Sequence, residues 1–163
     1  MMMTRSENDQ AVIVETGIGH GRIDDGVHVF PVRVYYEDTD SAGIVYYANY
    51  LRFMERGRTE LLRSLGGNHI ALSESEGVLF AVRRCEIDYL SPARLDDALE
   101  VRTRMLDIGG AAFQVEQTIW RAHQKLIHAE VRLACLNLQG RPARMPASVR
   151  AALKQFANVA AHP

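Results

Sequence analysis

The chain has 163 residues, 47% of them hydrophobic and 24% charged, with a formal net charge of −1. That length and mixture predict one soluble globular domain with a substantial core and exclude a wholly disordered chain. The balanced charge gives no global attraction to nucleic acid or to an anionic membrane surface, so an anionic ligand has to be met by a local cluster of cations.

Residues 1–26 show neither helical nor strand periodicity and include Gly17, Gly19, Gly21 and Gly26. They read as a flexible N-terminal extension, with residues 11–15 able to add an edge strand, ahead of a single domain over 27–160. His20 and His28 have no partner at ligand spacing and read as bystanders. The apolar run in this segment is too short for a signal-peptide core, and nowhere do about 18 apolar residues follow one another. The expectation is a cytoplasmic protein with no stable membrane insertion.

The β-branched and aromatic run 30–36 predicts a strand, with Val32, Val34 and Tyr36 on one face and Arg33 and Tyr35 on the other. Glu37, Asp38 and Asp40, followed by Ser41, Ala42 and Gly43, suit neither strand nor helix interior and predict a loop. From Tyr46 the apolar residues recur at Tyr50, Phe53, Met54, Gly57, Leu61 and Leu65, one face of a long helix, which Gly66 and Gly67 end. Carboxylates thus stand near a helix N-terminus, where free N–H groups favour negative charge. Asp38 and Asp40 suit a helix cap or an Asx turn as well as catalysis.

Residues 68–76 predict one or two helical turns ending at Gly77. Four alternating runs follow, at 78–90, 99–106, 112–120 and 126–138, separated by Ser91-Pro92, Gly109-Gly110 and the His123-Gln124 region. Pro146 opens a C-terminal helix over 147–158. Short connections imply antiparallel neighbours, and a half-buried sheet with one broadly apolar helix predicts an α+β fold in which the sheet curls round the helix. Cys85 and Cys135 fall at apolar-facing strand positions. With no CxxC pair and no His at ligand spacing they read as buried, reduced thiols, and no metal or cofactor is expected.

The segment DTDSAGIVYYANYLRFMER resembles the active-site segment of the 4-hydroxybenzoyl-CoA thioesterase family of hotdog-fold enzymes, whose motif falls here on Asp40, Gly43, Val45, Tyr47, Asn49 and Tyr50. The flanks VRVYYEDTD, ERGRTELLR and SPARLDD resemble more closely the Tol-Pal-associated acyl-CoA thioesterases, a branch of the same family. The match runs from about residue 31 to about residue 138. It implies the hotdog fold, a curled antiparallel sheet wrapped around one long helix, in a homodimer or tetramer that hydrolyses an acyl-CoA substrate.

The resemblance also implies roles. Asp40 becomes the nucleophile or general base, and the backbone N–H of Tyr47 the oxyanion donor, with Gly43 and Val45 bordering the substrate. Asp38 then reads as a residue that shapes the loop. Tol-Pal-associated members usually carry His where this chain has Tyr47, a departure that bears on substrate subclass. Glu55 matches an acidic position near the acyl group, or else pairs with an Arg such as Arg58. Coenzyme A carries several phosphate charges, for which Arg83, Arg84, Arg141 and Arg144 are the candidates. The aromatic-substrate relatives place basic residues at the hairpin where this chain has Gly109, Gly110, Ala111 and Ala112, so that cluster does not carry over. A hotdog hydratase or dehydratase would need a His–carboxylate pair, and no His lies between Gly43 and Gly67. A non-catalytic acyl-CoA-binding or Tol-Pal-linked module is opposed by the presence of Asp40, Gly43 and the Asn49-Tyr50 pair.

Overall fold

The structure, a computed structural model, describes residues 19–158. Six strands, β1 (Arg22–Asp24), β2 (Val27–Arg33), β3 (Val78–Tyr89), β4 (Ala98–Ile108), β5 (Ala112–Arg121) and β6 (Gln124–Asn137), form one open antiparallel sheet in the order β1-β2-β4-β5-β6-β3. Helix α1 (Asn49–Ser64) lies on one face of it. A short turn of helix, α2 (His69–Ala71), continues through Leu72–Glu76 to Gly77, whose φ of +63° is the left-handed conformation glycine adopts without strain. Helix α3 (Ala147–Asn158) closes the far end of the same face.

The helix seats because its apolar residues share one face and the sheet alternates. Phe53 and Met54 are fully buried against Leu99, Val101, Ile119 and Ile127, and removing that much apolar surface from water is the main term holding the two layers together. Gly57 sets how closely they approach: a Cβ there would lie 2.9 Å from Val101 Cγ1. One polar residue interrupts this core. Gln117 is fully buried, and its Nε2 donates to the Met54 carbonyl and to Thr103 Oγ1, both at 3.0 Å, while its Oε1 accepts from Arg58 Nη1 at 2.8 Å. All of its side-chain groups are therefore satisfied, as burial demands. A second cluster, with Val149 and Leu153 of α3 on Leu72, Val78, Cys135 and Met145, fills the C-terminal end of α1.

The curled antiparallel sheet around one long helix is the expected architecture, and the four later strands and α3 fall where their alternation placed them. Four local differences have physical causes. The first long strand ends at Arg33 rather than reaching Tyr36, because the Asp38 carboxylate accepts the Tyr35 N–H at 2.8 Å and draws the chain into a short 3-10 turn, Tyr36–Asp38. Helix α1 begins at Asn49, and Tyr46 stays exposed in the preceding turn. Strands β3 and β4 are not neighbours despite their short connection: residues 90–97 cross beneath the Asp40 loop, leaving β3 on the outer edge beside β6. Finally, Arg22–Asp24 pairs with β2, so the sheet begins inside the stretch read as an extension, and the 26/27 boundary falls in a hairpin turn. The expected strand at 11–15 lies outside the described residues. Cys135 is buried, and Cys85 is half-buried, since β3 is an edge.

Candidate active site

The acidic loop is built around Asp38, which is 5% exposed. Its Oδ1 accepts from Asn49 Nδ2 at 2.7 Å, its Oδ2 takes the Tyr35 N–H, and its carbonyl accepts the Tyr46 N–H at 2.9 Å. Both ends of the loop are therefore fastened to one residue. The crossover fastens the middle. Val45 donates its N–H to the Ala93 carbonyl at 2.9 Å, the Ala93 N–H donates to the buried Tyr50 hydroxyl at 3.0 Å, and Ile44 bridges to Arg94. Burial pushes the Tyr50 phenol up from its ordinary pKa, which keeps it neutral.

Asp40 projects from this frame and is exposed. Its Oδ1 accepts the Ala42 N–H at 2.8 Å, an Asx turn, while its backbone closes the turn through Asp40 N to the Ile44 carbonyl at 2.8 Å and Gly43 N to the Asp40 carbonyl at 3.0 Å. Among the described residues its Oδ2 has no protein donor. Neither acid caps α1, whose cap position is Ala48 with no side-chain bond. The Asx-turn reading thus holds for Asp40, whereas Asp38 caps the short 3-10 turn Tyr36–Asp38 through the Tyr35 N–H. Gly43 has φ +76° with open space where a Cβ would stand, so glycine is needed there for backbone conformation.

Tyr47 stands in the turn just before α1, 62% exposed, with its ring 5.0 Å from Tyr46 and 6.1 Å from Tyr89. Its carbonyl accepts the Tyr89 hydroxyl at 3.2 Å. Among the described residues its backbone N–H donates to no protein acceptor. A free carboxylate oxygen and a free N–H at a helix start therefore share one loop, with an exposed aromatic cluster beside them. Asp97 anchors the crossover. Burial pushes its carboxyl up, but the Arg121 guanidinium at 2.7 Å and the Arg94 N–H at 2.8 Å outweigh that and hold it below the usual carboxylate range.

Asp40, Gly43 and Tyr47 are all exposed on the stretch that leads into α1, and Val45 between them is buried, so its side chain supports the loop. Glu55 lies on the exposed face of α1, about 12 Å along the axis from Tyr47 at 1.5 Å per residue. Arg58 turns to Gln117, so the alternative ion pair between them is not formed. Arg84 pairs with Glu86, and Arg83 lines a groove at the 109–112 hairpin; within one chain neither reaches the Asp40 loop. Sequence reasoning missed the Tyr89–Tyr47 bond and the His20–Glu60 pair at 2.6 Å. The alternation of β3 could have flagged Tyr89, whereas nothing in the spacing signals His20.

An open sheet curled round a central helix, with an acidic loop leading into that helix, defines the hotdog thioesterases as a class. A family model described as the thioesterase-like superfamily matches residues 34–153, and the chain belongs to that family. It is 45% identical over 124 residues to the acyl-CoA thioesterase YbgC of Haemophilus influenzae, covering 76% of this chain and 91% of that one. A probable thioesterase from Bartonella henselae superposes with a TM-score of 0.72 at 43% identity, over 74% of this chain and 99% of that one. The 1,4-dihydroxy-2-naphthoyl-CoA thioesterase Slr0204 of Synechocystis shares the fold with a TM-score of 0.74 at 23% identity, over 84% and 99%. No helix of the described residues is long and apolar enough to cross a membrane.

Proposed function

We propose that the protein hydrolyses acyl-CoA thioesters to a free acid and coenzyme A. The observation that carries this reading is the pairing, on one fastened loop, of the unengaged Asp40 Oδ2 with the unengaged Tyr47 N–H at the start of α1. The thioester carbonyl oxygen accepts the Tyr47 N–H, and the positive end of the α1 dipole favours the charge that develops there. Asp40 then acts in one of two ways. As a nucleophile, its oxygen adds to the carbonyl, the thiolate leaves with the C–S electron pair, and water cleaves the resulting anhydride. As a base, it removes a proton from water while the water oxygen adds, and the thiolate departs to be protonated. The 45% identity to a YbgC thioesterase supports the substrate class. Glu55, Arg83 and Arg84 are too far from this loop to act on the same bound acyl group within one chain, and any part they play depends on a second copy.

The enzyme is proposed to act as a homodimer or a dimer of dimers in the cytoplasm. Strand β3 supports assembly, because among the described residues its 12 residues present an unpaired edge carrying exposed Leu79, Val82 and Tyr89, the kind of edge that proteins cover. Thiol release across a panel of short-chain, long-chain and benzoyl-CoA thioesters tests the activity. A wild type inactive on the whole panel overturns it. Light scattering at micromolar concentration tests the assembly, and a monomer overturns that part.

A further inference from the structure

The Tyr47 N–H is a backbone group on an exposed residue, so its direction is set by the peptides on either side of it. The peptide joining Tyr46 to Tyr47 is planar and trans, and the Tyr47 N–H therefore points opposite to the Tyr46 carbonyl. That carbonyl accepts the Asn49 N–H at 2.8 Å, which turns the Tyr47 N–H outward from the start of α1. The following peptide is held in another way. Among the described residues no backbone N–H donates to the Tyr47 carbonyl, and the bond it does accept comes from the Tyr89 hydroxyl at 3.2 Å. The two peptide planes meet at the Tyr47 α-carbon, where only two soft torsions join them, so holding both planes fixes the residue between.

Tyr89 is mounted to hold that bond. It is the last residue of β3, level with Ile127 of β6, and the next N–H in the chain, that of Leu90, donates to the Leu126 carbonyl at 2.9 Å. Its ring packs against Tyr47 and Tyr50, with centroids at 6.1 Å and 5.9 Å, and Tyr50 is in turn tied to Ala93. Backbone and ring are thus both anchored. Burial pushes the Tyr89 phenol above its ordinary pKa, so the hydroxyl keeps the proton it donates near neutral pH. A bond of 3.2 Å is long for a hydroxyl donor, as hydrogen bonds in empty active sites often are before substrate closes them.

We propose that Tyr89 is a positioning residue for thioester cleavage: by holding the Tyr47 carbonyl, its hydroxyl aims the Tyr47 N–H at the oxygen on which negative charge develops. This rests on the thioesterase reading above and adds to it the residue that sets the oxyanion donor. A donor stabilises an oxyanion fully only when it is already directed at the place where the charge will form. Released from Tyr89, the Tyr47 peptide can turn about its torsions, and the N–H spends part of its time misdirected. The bound thioester has little charge on that oxygen and loses little by this. The transition state loses more, so the effect falls on kcat and spares KM.

The test is Tyr89→Phe, which keeps the ring and its aromatic contacts and removes only the hydroxyl. Losing an oxyanion donor outright costs about 100-fold or more in kcat, and a donor that remains but swings should cost about tenfold, with KM for acyl-CoA and Tm close to wild type. The second readout is the infrared carbonyl stretch of an isotope-labelled acyl-CoA bound to Asp40→Asn, which holds the thioester without rapid turnover. A hydrogen bond to the carbonyl oxygen lowers that frequency, and adding Tyr89→Phe should return it most of the way to the value of free acyl-CoA. Either readout left unchanged overturns the proposal while an active wild type leaves the thioesterase reading intact. Parallel losses of kcat and Tm with the stretch unmoved would make Tyr89 a support of the fold alone. A wild type inactive on every thioester overturns the thioesterase reading instead. The stretch then still decides where the N–H is aimed, and a frequency alike in wild type and Tyr89→Phe overturns the role given to Tyr89.

Discussion

The side-chain amide of Asn49, the first residue of α1, donates to the buried carboxylate of Asp38 at 2.7 Å, which ties the start of the helix to the start of the acidic loop. The two acids of this loop consequently have separate tasks. Asp38 is spent on internal bonds, and Asp40, two residues on, is presented to solvent.

Substitution separates those tasks. Asp40→Asn keeps the shape of the Asx turn and removes the charge, so turnover on the best thioester should fall by at least about 100-fold, the lower range for acid–base catalysis, with little change in Tm. Asp38→Ala strands the buried Asn49 amide and the Tyr35 N–H, so it should cost on the order of 2 kcal/mol or more in urea unfolding. An Asp38→Ala variant as stable as wild type would show that the loop is held some other way.

Tyr50→Phe removes the acceptor of the Ala93 N–H without opening a cavity. Leaving that buried donor unmatched costs about 1–3 kcal/mol. The loop should loosen, so kcat should drop severalfold while the sheet keeps its circular dichroism signature. Equal loss of stability and of sheet signal would mean that the bond supports the whole domain rather than the loop.

The N-terminal boundary has a sharper expectation than the sequence offered. Deleting residues 1–18 should leave thiol release nearly unchanged. Deleting residues 1–26 removes β1, the His20–Glu60 pair and the carbonyl that His28 Nε2 donates to at 2.7 Å, so Tm should fall by several degrees. Thermal melts of the two truncations compare them directly.

Stability should decline in two steps as pH falls. His28 is fully buried, with Nδ1 unpartnered among the described residues, and burial pushes its pKa below the ordinary value, only partly offset by the bond to the His20 carbonyl. Protons therefore bind the unfolded chain more readily, so this contribution is complete above about pH 6.5 and is lost as pH falls from there. The second step comes from carboxyls held low. In Glu100 the bond from Arg102 is the largest cause; in Asp97 and Glu60 burial opposes the shift, but Arg121 and Arg94 in one case and His20 and Arg63 in the other prevail. Their contribution is present above about pH 4 and is lost as pH falls through the depressed values. His28→Gln should remove the upper step in a pH series of thermal melts and spare the lower one.

Much of this architecture was legible because its determinants are local. Alternation in residues 99–106 and 126–138 marked strands whose ends the structure moves by only one or two residues, and the face carrying Tyr50, Phe53, Met54 and Leu61 is the buried face of α1. What stayed hidden depends on contacts between distant residues. No period reveals that Asp38 draws Tyr35 out of the ladder, or that β3 crosses past β4 to pair with β6. Likewise no period reveals that Arg150 and Lys154 of α3 line one groove with Gly110 of the hairpin, about forty positions earlier in the chain.

The fastening of Val45 and Tyr50 to Ala93 joins residues more than forty positions apart, and that separation has a kinetic meaning. Closing so long a loop is slow compared with forming α1 or the β4–β5 hairpin, so the catalytic geometry should be among the last features to appear during refolding and among the first to go on mild denaturation. Recovery of thiol release should then lag behind recovery of helical signal in a stopped-flow experiment, and enzyme activity would serve as the most sensitive available gauge of whether residues 90–97 have docked.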